Sequence, residues 1–117
     1  VTWYTSAQVA WYTPAGTTPD STYWNSSSNH DIAYMINGST LGDSYAAIYV
    51  AYNGWSAAVN FSLPSPGANL NWYRVTDTCA WAEGTGQVNA PGSETYLGGQ
   101  GYNYSICARG LLVLIAK

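Results

Sequence analysis

A chain of 117 residues with 8% charged side chains and a formal net charge of −3 is long enough to bury roughly 65% of the surface its unfolded form exposes, as one domain spanning 1–117. Its three basic residues, Arg74, Arg109 and Lys117, are scattered and cannot line up against a phosphate backbone, which excludes nucleic acid as a partner. The apolar run at 111–116 falls well short of the about 20 residues that cross a bilayer, which excludes a membrane span.

The surface is wetted by Ser, Thr, Asn, Gly and Tyr in place of charge. That composition suits neutral, hydroxyl-rich ligands and an extracellular setting, secreted or periplasmic. No basic segment followed by an apolar one opens the chain, so a signal peptide would have been removed or belonged to a longer precursor.

No window keeps apolar residues at three and four spacing, and Gly, Pro, Asn and Ser interrupt the chain throughout, so helices are not expected. The fold class is all-β, an antiparallel β-sandwich of about seven or eight short strands. Residues 1–30 read as a loop-rich N-terminal segment ahead of a sandwich core at 31–117. Within that segment, 14–30 forms a long loop draped over a sheet and pinned by Trp11 and Trp24.

The first expected strand is 32–37. Two more, 46–52 and 57–63, flank Asn53-Gly54, the strongest short-range hairpin signal a sequence carries. A type I′ turn there pairs Ile48 with Val59, Val50 with Ala57 and Ala46 with Phe61. It places the large aliphatics on a buried face, and Ala47, Tyr49 and Ala51 on the other. Further strands are expected at 71–76, near 95–97, at 102–106 and at 111–116. The last contains the unbroken run from Leu111 to Ile115, which calls for cover on both faces: the sandwich core on one, and the N-terminal loop or a neighbouring domain on the other.

Catalytic signals are missing. A glycosidase needs two carboxyl groups across the scissile bond, yet Asp20, Asp31, Asp43, Asp77, Glu83 and Glu94 stand in no pairing motif and read as solvated or turn-capping groups. His30 beside Asp31 reads as a surface residue, because neighbours in an extended chain point in different directions. No nucleophile elbow, phosphate loop or calcium loop is present. No cofactor, metal site or catalytic residue is assigned.

Six Trp and eleven Tyr leave aromatic chemistry. A pyranose ring lays its C–H face on an aromatic ring while amides and hydroxyls bond its rim. Trp55 and Trp81, beside turns, are the plainest platforms, with Tyr96, Tyr102 and Tyr104 as further candidates. Packing against a neighbouring strand or domain is the other reading of each. Trp3, Trp11, Trp24 and Trp72 read as anchors of loops and core.

With His30 the single histidine, Cys79 and Cys107 are too few for a metal site. They read as a disulfide that stabilises by about 3 to 4 kcal/mol in an oxidising compartment, or else as two buried thiols.

Trp11-Tyr12-Thr13-Pro14-Ala15-Gly16, Tyr23-Trp24-Asn25 and the stretch YVAYNGW at 49–55, followed by VNFSLP at 59–64, WYRVTDTC at 72–79, APGSET at 90–95, Leu97-Gly98-Gly99 and LLVLIAK at 111–117, form a set. Together they resemble the C-terminal region of bacterial isoamylases, glycogen and starch debranching enzymes of the α-amylase superfamily, nearly end to end. The resemblance implies an antiparallel β-sandwich placed directly after a catalytic (β/α)₈ barrel. The Asp nucleophile, Glu acid and supporting Asp would reside on that barrel, so no catalytic residue carries over. Residues 1–5 would begin just beyond it.

Cys79 and Cys107 fall where isoamylases of this type place cysteines, which supports the bridge. Arg109-Gly110 departs from the Arg-Ser that commonly enters the last strand, which touches a local side-chain hydrogen bond and not the fold.

The leading reading is therefore a non-catalytic accessory domain of an isoamylase-like α-1,6-glucan debranching hydrolase that stabilises the barrel. The alternative is a stand-alone α-glucan binding module using Trp55, Trp81 and the tyrosines. A self-assembling extracellular structural protein is a third.

Overall fold

The computed structural model describes residues 4–79, 81–82, 87–99 and 101–117; Trp3 and Glu83 lie outside the described residues. The strands are β1 (Val9–Tyr12), β2 (Asp31–Asn37), β3 (Ala47–Asn53), β4 (Val59–Ser62), β5 (Trp72–Asp77), β6 (Thr95–Gly98), β7 (Asn103–Ile106) and β8 (Leu111–Ala116). Two short helices, α1 (Ser21–Asn25) and α2 (Gly38–Leu41), interrupt them. Six strands form one sheet in the order β1-β2-β3-β8-β5-β6, and β4 pairs with β7 in a second. Every pairing is antiparallel.

The strands lie where β-branched and aromatic residues cluster, within a residue or two of expectation. One strand and both helices were not foreseen. Val9–Tyr12 adds β1 to the edge of the large sheet, with Trp11 opposite Tyr34, so the N-terminal segment is more than loop. The rest of it crosses to the second sheet, where Ser62 N–H donates to the Pro14 carbonyl at 2.8 Å. Helix α1 is a single capped turn, its Tyr23 N–H donating to Asp20 Oδ1 at 2.8 Å, too short for any periodicity to announce it.

The hairpin expectation is overturned. β3 pairs with β2 and β8, and β4 pairs with β7, so Asn53-Gly54 carries the chain from one layer to the other. Asn53 is fully buried. Its Nδ2 donates to the carbonyls of Ala57, Ile106 and Cys107 at 2.8, 3.0 and 3.0 Å, and its Oδ1 accepts the Trp55 N–H at 2.8 Å. Neither Asn53 nor Gly54 has the positive φ that a type I′ turn requires, and the Asn53 side chain instead ties the approach to β4 to the end of β7. Gly54 is required for a different reason: a Cβ there would stand 2.5 Å from the His30 carbonyl oxygen, to which the Gly54 N–H donates.

The faces of β3 are reversed as well. Ala47, Tyr49, Ala51 and Asn53 point inward and are buried, while Ile48 and Val50 face out and stay half exposed. Packing volume explains the choice. The opposing ribbon supplies Phe61, Tyr104 and Ile106, and the inner face of the large sheet answers with Ala33, Ala47, Ala51 and Ala116, leaving room for Tyr49 against Trp72 at 5.8 Å between ring centroids. Large against small fills the layer at interior density.

The Cys79–Cys107 disulfide closes a 28-residue separation. Arg109, with φ +54°, and Gly110 turn the chain into β8 beside it. A Cβ at Gly110 would meet Cys107 Sγ at 2.8 Å, so glycine is what lets the last strand pass the bridge.

Candidate functional site

The outward face of the large sheet is the most extended apolar surface the strands build. Register aligns Val9, Ile36, Ile48, Ile115 and Tyr73 in one row, Trp11, Tyr34, Val50 and Val113 in a second, and Ile32, Tyr52 and Leu111 in a third. Ile115 is buried, whereas Ile36, Ile48, Val50 and Val113 are half exposed and Trp11 and Tyr52 exposed. Cover on both faces, as expected for β8, is thus met on the inner side by Leu112 and Leu114. On the outer side Val113 has no complete cover among the described residues. A row of half-exposed aliphatic side chains of this kind is what a contact surface presents.

A hollow of about 420 Å³ opens in this face, floored by Ile48, Val75, Val113 and Ile115 and walled by Tyr45 and Glu94. Lys117 Nζ reaches Glu94 Oε2 at 2.7 Å and lies 4.8 Å from the Tyr73 ring centroid. The Lys117 hydrogen bond, then the backbone amides of Glu94 itself and Gly92, hold the Glu94 carboxyl down to about 2. The rim of the hollow is therefore an internally neutralised pair.

The candidate platforms do not converge. Trp55 precedes β4 and Tyr102 precedes β7, at opposite ends of the ribbon. The Trp55 ring meets His30 edge-on, with ring centroids 4.5 Å apart. Trp81, 56% exposed, carries the Arg74 guanidinium 4.8 Å from its ring centroid, and the exposed Tyr96 packs edge-on against Tyr73 at 5.4 Å.

Tyr104 is a correction. Its ring is 6% exposed inside the core, its hydroxyl donates to Asp77 Oδ2 at 2.5 Å, and it accepts from Arg74 Nη1 at 3.3 Å, so no sugar face can reach it. Burial first, and the Asp77 bond second, push that phenol above its ordinary range.

Among the carboxylates, Asp20 caps α1, Asp43 accepts the Tyr45 N–H at 2.8 Å and Glu94 closes the Gly92 turn. Asp31 and Asp77 depart from the solvated reading. Asp77 is buried, bound by Tyr104 and by the Cys79 N–H at 2.8 Å. Asp31 is buried with Oδ1 unpartnered, and burial raises its carboxyl above the usual range. Asp43 and Glu94 both border the outer-face hollow, but Asp43 is bound to the Tyr45 N–H and Glu94 to Lys117; no group of three metal-ligating side chains stands together among the described residues.

The sequence reading expects a second face on β8 but misplaces Ile48 and Val50, which it assigns to the core and which stand on the outer face. Its signal was present in the unbroken apolar run of β8, which asks for partners on both sides.

A lopsided two-layer β-sandwich with a broad apolar outer face, whose described carboxylates are mostly engaged in caps, turns and side-chain hydrogen bonds, has the form of a binding or accessory module. The chain belongs to the family described as the isoamylase C-terminal domain, which it matches over residues 8–115. It is 56% identical over 115 residues to an isoamylase of Pseudomonas amyloderamosa and equally to one of Pseudomonas sp. (strain SMP1), covering 98% of this chain and 15% of each relative. An isoamylase of Flavobacterium sp is 56% identical over 110 residues, or 94% of this chain and 14% of that protein. The chain thus spans about 15% of the length of the curated relatives it matches.

Proposed function

We propose that this domain is the non-catalytic accessory part of an isoamylase-type α-1,6-glucan debranching hydrolase, whose outer sheet face packs on a catalytic (β/α)₈ barrel and stabilises it. The observation that carries the reading is the half-exposed trio Ile48, Val50 and Val113 at the middle of that face, away from the β1 margin, on a chain whose relatives extend far beyond the matched segment. Since these side chains are already half-buried, covering each contributes a part of the about 1.5–3 kcal/mol that burial from full exposure gives. The Cys79–Cys107 bridge supports a secreted or periplasmic setting, where disulfides persist.

The test adds the 117-residue chain to a debranching barrel lacking its own C-terminal part. Co-elution on size exclusion and a raised Tm of the barrel are expected, and Val50→Glu with Val113→Glu should abolish both while the domain stays folded. Absence of association, or reproducible branch cleavage by the chain alone, overturns the proposal.

A further inference from the structure

Two tryptophans read as loop anchors build an open corner at the β1 margin. Trp11 is 45% and Trp24 53% exposed, and their rings meet nearly at right angles, 81° between planes with centroids 5.9 Å apart. Tyr34 backs Trp11 at 5.3 Å. The corner opens into a cleft of about 340 Å³, bordered by Ser6, Val9, Thr18 and Pro19 as well as the two indoles. A second hollow of about 260 Å³ also takes Trp24 as part of its wall and is rimmed by Ser26, Asn29 and His30. Trp24 is therefore a partition with open space on two sides.

The partition is held in place. Asp20 caps α1, the Tyr23 hydroxyl donates to the Asp31 carbonyl, and Asn29 Nδ2 donates to the Tyr23 carbonyl at 2.8 Å. The Trp24 ring itself stands edge-to-face with Trp11 and Tyr23, at 5.9 and 6.1 Å between centroids, and a ring so braced loses little freedom on binding. The walls are apolar and aromatic and the rims carry hydroxyls and amides; Asp20 is committed to the helix cap, and Asp31, whose Oδ1 has no partner among the described residues, lines the second hollow as an acceptor for hydroxyl groups. That combination fits a neutral ligand with flat C–H faces and a hydroxylated edge.

We propose that the Trp11–Trp24 corner binds a pyranose chain, with Trp24 as the stacking ring and successive sugars on its two sides. The identification of that chain as an α-glucan rests on the debranching reading above; the shape and chemistry of the cleft do not. The site is distinct from Trp81, Tyr96 and Tyr102, while Trp55 adjoins it through His30, which lines the second hollow.

The experiment is native electrophoresis of the 117-residue chain through gels containing glycogen, with cellulose-derived β-glucan gels in parallel. The unaltered protein should be retarded by glycogen. Trp24→Ala should weaken that retardation about tenfold, the cost of one lost stacking contact, while Trp81→Ala leaves it unchanged. Trp24→Phe keeps a ring and should give an intermediate value, which preserves the test if Trp24→Ala fails to fold. Unretarded migration of the unaltered protein overturns the glucan site and leaves barrel docking untouched. Retardation that survives folded Trp24→Ala also overturns it, as does equal retardation by the β-glucan for the α-specific assignment.

Discussion

The Tyr104 hydroxyl reaches across the sandwich to Asp77 Oδ2 at 2.5 Å, joining the ribbon to β5 through a carboxylate that is itself 1% exposed. Arg74 completes the chain, donating to Tyr104 and to Thr95 Oγ1 at 3.4 Å while lying against Trp81. A surface tryptophan, a cation, a phenol and a buried carboxylate thus form one line from solvent to core.

Removing the phenol oxygen leaves Asp77 Oδ2 short of its donor in a buried site, which costs about 1–3 kcal/mol. Tyr104→Phe should lower Tm by several degrees in thermal denaturation, whereas Tyr96→Phe, at an exposed ring, should stay within about 0.5 kcal/mol of the parent. Equal effects of the two would remove the bond from the account of stability.

Asn53→Ala should be among the most damaging single changes. It strips the Trp55 N–H and the carbonyls of Ala57, Ile106 and Cys107 of a buried partner, for a loss of more than about 2 kcal/mol. Denaturant unfolding would report it as a lower midpoint with an unchanged slope. A midpoint within error of the parent would mean that water replaces the amide.

Two limbs bound the pH profile. Glu94 is lowered on folding from 4.5 to about 2, so its contribution is present above about pH 4.5 and is lost as pH falls from there toward 2. Glu94→Gln should flatten that acid limb. Tyr49 and Tyr104 are raised above 10.0, each by burial first, so their contribution is present below about pH 10 and declines above it. Tyrosinate absorbance for these two should rise only together with loss of near-ultraviolet circular dichroism. Ionisation of all eleven tyrosines in a folded protein would contradict this.

Replacing both Cys79 and Cys107 by Ser should cost about 3–4 kcal/mol on the chain-entropy account, given the 28-residue separation. Thermal denaturation with and without the bridge measures it directly.

The all-β class, seven strand positions and the disulfide were legible because each rests on local composition or on a pair of residue types. Pairing was not legible. Asn53-Gly54 carries the same residues whether it turns a hairpin or clamps a crossover, and what decides is the distant partner: the Ile106 and Cys107 carbonyls and the His30 oxygen. The face of β3 was misread for a related reason. Ile48 and Val50 outrank Ala47 and Ala51 in hydrophobicity, but the bulk of Phe61 and Tyr104 opposite them selects the small side chains for the interior. Of the candidate platforms, Tyr104 failed because its hydroxyl found a buried carboxylate that no local motif announces. Trp11 and Trp24 read as anchors of the N-terminal loop; that their rings meet, 5.9 Å apart, and that space opens beside them depends on the β1–β2 pairing, which no local pattern announces.

The inversion of β3 has a practical side for anyone engineering the domain. Solubilising changes belong at Ile48, Val50 and Val113, where lengthened or charged side chains meet solvent in the free domain. The buried alanines at 33, 47, 51 and 116 belong to the packed core, where an added methylene typically costs about 1–3 kcal/mol. A ranking by greasiness alone would invert the safe and the forbidden positions.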